Sequence, residues 1–398
     1  MPLTTKIFIG LALGLVAGLA GGTESIPFMK DWVAPFGTVF INLIKMIIVP
    51  LVLASLVVGV ASLGDVRKLG RIGVKTVGYY LSTKIIAITI GLFLALTFTP
   101  GDGLSIPVDA KLSMKDPVPL STVLVNMIPA NPFDAFAKAD MLQTIVFAIF
   151  VGIAIIMVGE KAKVLESFFD ALAEVSYKII GMVMKFAPYG VFALIAPVAA
   201  ANGPKVLLPL AAIIGTVFLA CLIHMLIVYC SVVAKFGKMS PIAFFKAVSP
   251  AMLVAFSTCS SSATLPVSMQ CAQDNLGASK DVSSFVLPLG ATVNMDGTAI
   301  YVGIATLFVA QVYGIDLTMG QLLTIVLTGT LASIGTAGVP GAGLIMLTLA
   351  LQSVNLPLEG IALVAGIDRI LDMMRTTLNI TGDLVGVVFV DSTEQTNT

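Results

Sequence analysis

Between residues 366 and 390, the sequence places three aspartates and two arginines in an otherwise apolar stretch long enough to cross a bilayer. Charges at membrane depth are costly, so they are retained where they have a function. Because a helix advances about 100° per residue, a face about 80° wide contains five polar side chains: Asp368, Asp372, Arg375, Asn379 and Asp383. Such a face is predicted to line a polar cavity inside the protein and not to contact lipid.

The composition indicates an all-α membrane protein. Of the 398 residues, 58% are hydrophobic and 11% are charged, and the mean hydropathy is +1.04, as in chains with many apolar helices. The formal net charge is zero, so nothing favours nucleic-acid binding. The four cysteines show no CxxC spacing, and neither a disulfide nor a metal site built on them is expected.

Full membrane spans are predicted in the first part of the chain over residues 5–22, 35–63, 74–98, 141–158, 168–200 and 206–234. Arg67, Lys68, Arg71 and Lys75 place the connection between the second and third spans in the cytoplasm, because positive residues favour that side. Both chain termini are then expected to be cytoplasmic, in a multi-pass protein of the cell membrane.

Two later apolar segments are interrupted in the middle. Residues 241–256 would form a helix of about 24 Å, shorter than the roughly 30 Å hydrocarbon core, before the sequence STCSSSATLP at 257–266. Residues 321–331 and 344–351 flank ASIGTAGVPGAG in the same way. Each interrupted segment precedes a full helix with intramembrane acids. The pattern predicts eight transmembrane helices plus two re-entrant helical hairpins with inverted repeats, as in transporters.

Arg375 and Asp372 indicate what the cavity binds. The guanidinium of Arg375 suits a carboxylate, and Asp372, one turn away, can receive an ammonium. The two residues together suit an amino acid that carries an additional acid; alternatively, they pair only with each other. The hydroxyls of Ser260, Ser261 and Ser262 are interpreted as an anion cradle at a half-helix, with a flexible turn as the alternative.

Hard oxygen ligands are the second feature of the cavity, and four side chains supply them: Asn294, Asp296, Asn379 and Asp383. Such oxygens suit a weakly bound alkali cation better than zinc, and unwound carbonyls near Thr292 and residues 333–336 could complete the sites. For Asp383, the alternative is a helix-end acid satisfied by backbone donors. The single histidine, His224, has no carboxylate in its own segment and is interpreted as a packed, hydrogen-bonded residue, not as a proton relay.

Motifs along nearly the whole chain resemble those of the dicarboxylate/amino acid:cation symporters, the family of bacterial and archaeal glutamate and aspartate transporters. Besides the serine-rich tip, the matching motifs are LIKMIIVP at 43–50, NMDGT at 294–298, GTAGVPGAG at 335–343 and DMMRT at 372–376, which leads to Gly382-Asp383. The resemblance implies a homotrimer in the lipid bilayer and an elevator-type mechanism. The scaffold would comprise residues 1–73 and 119–205, and the mobile transport portion 74–118 and 206–398.

The same resemblance implies symport of an acidic amino acid, aspartate or glutamate. Arg375 would bind the side-chain carboxylate of this substrate, and Asp372 would bind its amino group. The other implied substrate-binding residues are Ser260, Ser261, Thr298, Val339, Gly343, Thr376 and Asn379. Relatives that transport neutral amino acids lack the arginine, and those that transport C4-dicarboxylates lack the acid at position 372.

Three sodium sites are also implied by the resemblance. The first would use Gly290, Asn294, Asn379 and Asp383. The second would use carbonyls near Met295, from Thr292, Ser333, Ile334 and Thr336. The third would use Tyr80, Thr83, Asn294 and Asp296.

Two features depart from the family pattern. Relatives commonly have a hydroxyl residue where this chain has Lys84, whose ammonium could replace a sodium ion beside Asp296 or turn away. Relatives that handle acidic amino acids often carry a second arginine at the position of Cys259 or Met373, and Arg369 is a hypothetical substitute for it.

The alternative on the same fold is a proton-coupled symporter of glutamate, aspartate or a C4-dicarboxylate. Protons would then occupy one or more of the cation sites, on acids such as Asp296 and Asp383. A channel would need a continuous polar path in place of two gates. An intramembrane protease would need a nucleophile with a base or a Gly-x-Gly-Asp motif, which Ile380-Thr381-Gly382-Asp383 does not provide, so no catalytic residue is expected.

Overall fold

The computed structural model describes residues 3–62, 71–104, 125, 128–332 and 341–395. Within these ranges the helices are α1 (Leu3–Gly21), α2 (Ala34–Ser62), α3 (Arg71–Phe98), α4 (Pro132–Ala137), α5 (Met141–Val158), α6 (Lys163–Asn202), α7 (Leu207–His224), α8 (Cys230–Lys235), α9 (Pro241–Thr258), α10 (Ser261–Gln270), α11 (Lys280–Val293), α12 (Asp296–Val312), α13 (Met319–Ala332), α14 (Ala342–Ser353), α15 (Ile361–Ala365) and α16 (Asp368–Gln395). Short helical turns join several of these elements.

The predicted spans coincide with helices and differ from them mainly at the ends. α5 begins and ends at the predicted residues. α6 is longer than predicted, at 40 residues, and continues through Pro188 and Pro197, which membrane helices tolerate. Five helices of the described chain are long and apolar enough to cross a membrane, or six when Thr5–Gly21 and Thr23–Phe40 are taken as one bent span. α16 does not reach this hydropathy, because charged side chains recur along it.

The helices form two packing groups. α6 packs against α1 and α2, and α2 also packs against α5. In the second group, α3 packs against α12, and α16 packs against α9, α11 and α12. Contacts between the groups come from α13, α14 and α15.

A row of glycines allows α1 to lie close against α6. A methyl group added at Gly10 would meet the carbonyl oxygen of Pro188, and one added at Gly18 would meet that of Ala196. Gly14, one turn from each, faces the same helix. Small residues favour helix association in lipid because they let two backbones approach.

The first predicted hairpin contains a break between two helices that fold back on each other. α9 ends at Thr258, two residues later than predicted, and Cys259 then adopts a left-handed conformation with φ 54°. The extended Ser260 caps α10, and its hydroxyl accepts a hydrogen bond from the Ala263 amide at 3.2 Å. At the far end, Asn275 Nδ2 donates to the Ala247 carbonyl at 2.7 Å, so the returning arm meets the start of α9.

The second hairpin folds back in the same manner. α13 contacts α14, and Gln321 Nε2 donates to the Val354 carbonyl at 3.4 Å. The tip itself, residues 333–340, lies outside the described residues.

The helix expected to follow the first hairpin as one piece is broken. α11 ends at Val293, and Asn294 (φ −86°, ψ 92°) and Met295 (φ −119°, ψ 49°) leave the helical conformation before α12 starts. Residues Val282–Val312 still form one apolar span long enough to cross a membrane, and the break lies next to Thr292, near which unwound backbone was expected. The break releases backbone groups and directs polar side chains toward α16.

We expect Gly18→Ala to lower the free energy of unfolding by about 1–3 kcal/mol, the usual cost of overpacking. The added methyl would lie 2.6 Å from the Ala199 Cβ, between two helix backbones. Thermal unfolding of the detergent-solubilised protein measures the effect. The control is Gly181→Ala in α6, where no described atom lies within 4 Å of the added carbon and alanine improves helix propensity. Equal unfolding midpoints for Gly18→Ala and Gly181→Ala would contradict the close packing of α1 against α6.

Candidate functional site

The polar face of α16 is buried inside the protein, as its pattern predicted. Arg375 and Asp383 are each 1% exposed and Asp372 is 7% exposed. Asp368 and Asn379 are buried as well. α16 therefore presents its charges to neighbouring helices, mainly α9, α11 and α12.

Two aspartates and an aromatic ring surround Arg375. Its Nη1 donates to Asp368 Oδ1 at 2.9 Å, and its Nη2 lies 2.9 Å from Asp372 Oδ1 without the alignment of a hydrogen bond. The Tyr301 ring centroid lies 4.0 Å from Cζ, a cation–π contact. Asp368 and Tyr301 were not among the predicted substrate-binding residues. The sequence did place Asp368 on the polar face of this helix, two turns before Arg375.

Two donors of Arg375 lack an aligned hydrogen bond among the described residues. Nε is buried and has no acceptor there, and Nη2 is engaged only through its ion pair with Asp372. These nitrogens form one edge of the guanidinium, which is the edge suited to paired hydrogen bonds with a carboxylate. Internal pairing with Asp372 is therefore present but leaves this edge unsatisfied, and buried unsatisfied donors are costly.

Both hairpins contact the first turns of α16. In the second hairpin, the Gly341 amide donates to Asp372 Oδ2 at 3.4 Å. Gly343 lies against the Arg375 guanidinium, since a methyl group there would be 2.5 Å from Cζ. In the first hairpin, the Thr258 carbonyl at the end of α9 accepts a hydrogen bond from Arg369 Nη2 at 3.3 Å.

The remaining predicted substrate residues lie on three elements. Ser260 and Ser261 are buried at the start of α10, where the cap makes the segment a helix start and not an irregular turn. Thr298 lies in the first turn of α12, and its hydroxyl is 3.9 Å from Met295 Sδ. Thr376 donates to Asp372 Oδ1 at 3.3 Å.

The broken segment between α11 and α12 joins α16 at two asparagines. Asn294 Nδ2 donates to Asp383 Oδ1 at 2.9 Å and to the Asn379 carbonyl at 3.0 Å. Asn379 Oδ1 accepts from the Gly297 amide at 2.8 Å. Gly290 also lies here, because a methyl group on it would be 2.5 Å from Asp383 Oδ1.

This cluster fits a cation. Asn294 Oδ1 is buried and has no hydrogen-bond donor in the described part of the chain, and it stands on the residue whose amide already contacts Asp383. An oxygen acceptor without a donor, next to a carboxylate, suits a hard cation. Asp383 lies in the middle of α16 and accepts from a side chain, so the helix-end alternative does not describe its surroundings.

Three residues of the second predicted ion site lie outside the described residues: Ser333, Ile334 and Thr336. The predicted substrate residue Val339 lies outside them as well. Of its other members, Thr292 donates its hydroxyl to the Leu289 carbonyl at 3.0 Å. Met295 Sδ lies 3.2 Å from Asn379 Nδ2.

Only part of the third predicted ion site comes together. Thr83 Oγ1 lies 3.3 Å from Asp296 Oδ1, but the Tyr80 hydroxyl donates to the Val286 carbonyl at 3.0 Å. Two residues outside the predicted site contact Asp296 instead. They are His224, the last residue of α7, and Tyr229, which follows this helix.

His224 is fully buried, and its Nε2 lies 3.3 Å from Asp296 Oδ2. It is packed and hydrogen-bonded, as predicted. Its own segment contains no carboxylate, but the fold brings Asp296 to it from a position 72 residues away.

These features define a multi-pass membrane protein in which two helical hairpins close on a buried, charged helix. The chain matches the model of the sodium:dicarboxylate symporter family over residues 3–393. It therefore belongs to the sodium:dicarboxylate symporter family.

Curated relatives cover nearly the full length. The chain is 37% identical over 401 residues to a proton/sodium-glutamate symport protein of Geobacillus stearothermophilus, covering 98% of this chain and 94% of that protein. It is 37% identical over 407 residues to a proton/glutamate-aspartate symporter of Escherichia coli (strain K12), with 98% and 92% covered. It is 33% identical over 403 residues to a C4-dicarboxylate transport protein of Bacillus subtilis (strain 168), with 98% and 93% covered.

We expect Asp368→Ala to lower the free energy of unfolding by about 3–5 kcal/mol, because it removes one partner of a buried ion pair and takes from the Arg375 Nη1 its hydrogen-bond acceptor. Thermal or denaturant unfolding in detergent measures this loss. The control is Asp134→Ala, which removes the exposed pair with Lys138 and should change stability little. A similar small effect of both variants would show that Asp368 does not balance the Arg375 charge.

Proposed function

We propose that this protein is a secondary active transporter that couples the uptake of an acidic amino acid, aspartate or glutamate, to a cation gradient, with sodium as the coupling ion. The observation that carries the proposal is the buried guanidinium of Arg375, whose Nε has no acceptor in the described chain and whose Nη2 contacts only the carboxylate of Asp372. A ligand with both a carboxylate and an ammonium would satisfy both groups at once.

In the proposed complex, the substrate side-chain carboxylate lies on the Nε and Nη2 edge of Arg375. The substrate ammonium replaces part of the contact between Arg375 and Asp372. Residues around this position would assist in binding: Ser260, Ser261, Thr298, Val339, Gly343, Thr376 and Asn379. The Tyr301 ring and Asp368 would hold the guanidinium in place from the other side.

Asp372 favours an amino acid over a C4-dicarboxylate as the substrate. A carboxylate at 2.9 Å from Arg375 Nη2 would repel a substrate that carries two acids and no ammonium. Relatives with each kind of name occur at similar identity, so identity alone does not choose between these substrates.

Sodium is proposed at the cluster of Gly290, Asn294, Asn379 and Asp383, where the Asn294 oxygen lacks a donor among described residues. A second sodium is proposed at carbonyls of Thr292 and of the second hairpin near Met295. The names of two relatives include protons, and proton coupling is the alternative that the experiment below tests.

We further propose eight transmembrane helices and two re-entrant hairpins, with inverted repeats in which α9 to α12 correspond to α13 to α16. The two hairpins would act as gates. The division into a scaffold (1–73 and 119–205) and a transport portion (74–118 and 206–398) is supported by the two packing groups. An elevator-type movement and a homotrimer rest on the family resemblance, and cytoplasmic termini rest on the positive charges between the second and third spans.

The test is uptake of labelled L-aspartate into proteoliposomes, under an inward sodium gradient and separately under a pH gradient. We expect sodium-driven uptake that Arg375→Ala abolishes and that Asp372→Asn strongly reduces, since each removes one half of amino-acid recognition. Lys178→Ala, an exposed residue of α6, is the control and should transport normally.

Uptake driven by the pH gradient alone would favour the proton-coupled alternative. Uptake of succinate in preference to aspartate would contradict the role given to Asp372. Absence of uptake for all of these substrates would contradict the proposed function.

We expect Gly343→Ala to weaken aspartate binding on the order of ten-fold or more, because a displaced guanidinium no longer meets the substrate in a productive geometry. The added methyl would lie 2.5 Å from the Arg375 Cζ. Gly329→Ala, on the other arm of the same hairpin, is the control. Its added methyl meets the terminal methyl of Ile88, and because that methyl can move, the affinity of this variant for aspartate should be nearly unchanged. Isothermal titration calorimetry compares the two, and equal affinities would place the substrate away from Gly343.

A further inference from the structure

Lys84 is a fully buried lysine of α3 whose ammonium contacts the break between α11 and α12. Its side chain is 0% exposed, and Nζ donates to the Val293 carbonyl at 2.7 Å. In a continuous helix that carbonyl would accept from the Gly297 amide. Here the Gly297 amide donates to Asn379 Oδ1 at 2.8 Å, so the break makes the carbonyl available to Lys84.

Asp296 is the carboxylate nearest to this break, and side chains of the protein lie close to both of its oxygens. The Tyr229 hydroxyl donates to Oδ2 at 2.8 Å, and His224 Nε2 lies 3.3 Å from the same oxygen. Thr83 Oγ1 lies 3.3 Å from Oδ1, and its one hydrogen is shared with the Tyr79 and Tyr80 carbonyls at 3.2 Å. Lys84 follows Thr83 on α3, and its Nζ reaches the Val293 carbonyl, three positions before Asp296. The surroundings of Asp296 therefore already include hydroxyl groups, an imidazole and an ammonium.

This arrangement does not fit a bound sodium ion, which needs several oxygen lone pairs directed at one point. The Tyr80 hydroxyl donates to the Val286 carbonyl and Asn294 Nδ2 donates to Asp383, and neither group hydrogen-bonds to Asp296. The two acids differ in their neighbours: among the described residues Asp383 accepts from one side chain, Asn294, whereas three side chains lie within hydrogen-bond distance of Asp296.

We propose that the Lys84 ammonium is a resident cation that takes the place of one coupling sodium ion at Asp296, so that the protein moves one sodium ion fewer per substrate than its Lys84→Ser variant. The proposal rests on the proposed function and specifies its ion coupling. An ammonium supplies the same unit charge as sodium and three N–H donors. Because it is covalently attached, it cannot be released on the other side of the membrane, and it therefore stores no gradient energy.

The number of sodium ions per aspartate can be counted in proteoliposomes from the membrane potential at which net aspartate flux is zero. We expect Lys84→Ser to add one sodium ion to the wild-type count, because it removes the resident charge and supplies an oxygen. Lys84→Arg, which keeps a cation, should retain the wild-type count. The matched control is Lys75→Ser on the same helix, which breaks the contact with Glu394 and should also leave the count unchanged.

A folded Lys84→Ser variant that moves as many sodium ions per aspartate as the wild type would overturn the proposal. Uptake that is driven by a pH gradient and abolished by Lys84→Ser would also overturn it, since Lys84 would then carry protons. If Lys84→Ser does not fold, Lys84→Gln offers a neutral side chain with an oxygen and carries the same expectation. A second readout needs no transport: sodium titration of thermal stability in detergent, without substrate, should show stronger sodium-dependent stabilisation in Lys84→Ser than in the wild type. If wild-type uptake fails, the proposed function fails, and this titration still decides whether Lys84 replaces a sodium ion.

Discussion

The buried guanidinium of Arg375 is the constraint on which much of the site depends. A full positive charge at 1% exposure needs compensation from nearby groups, and Asp368, Asp372 and the Tyr301 ring supply it. Two carboxylates around one arginine leave the group of three with a net negative charge. Asp372 is the less firmly bound of the two, because its contact with Arg375 is not an aligned hydrogen bond. It is therefore the carboxylate that an ammonium can most easily engage.

Breaks in the helices bring the other groups to Arg375. Where a helix stops inside the protein, backbone amides and carbonyls become available that would otherwise bond within the helix. The break at Cys259 and Ser260 places the Thr258 carbonyl against Arg369, and the Gly341 amide reaches Asp372. The break at Asn294 and Met295 frees the Gly297 amide for Asn379. Each break costs helical hydrogen bonds, and the released groups bond to side chains of α16, to Lys84 of α3 or to a capping hydroxyl.

The two intramembrane acids outside the arginine cluster have different surroundings. Asp383 has an asparagine neighbour whose own oxygen lacks a donor in the described chain. Asp296 is approached by two hydroxyls and an imidazole nitrogen, close to a lysine. This difference is the structural basis for proposing an exchangeable cation at Asp383 and a resident one at Asp296.

The sequence determined most of the helices and the buried face of α16. Hydrophobic runs indicated the helices, because lipid forces backbone groups to pair within a segment. The positions of Asp368 to Asp383 indicated one buried face, because helical periodicity is regular. Arg375 and Asp372 could thus be chosen as the centre of the site from spacing alone. The contacts of Asp296 could not be predicted, since they depend on residues from other helices. His224 and Tyr229 meet Asp296 from 72 and 67 positions away, and Lys84 reaches Val293 across 209. Such pairs leave no periodic trace in the chain, because only the packing of helices decides which buried polar groups satisfy one another.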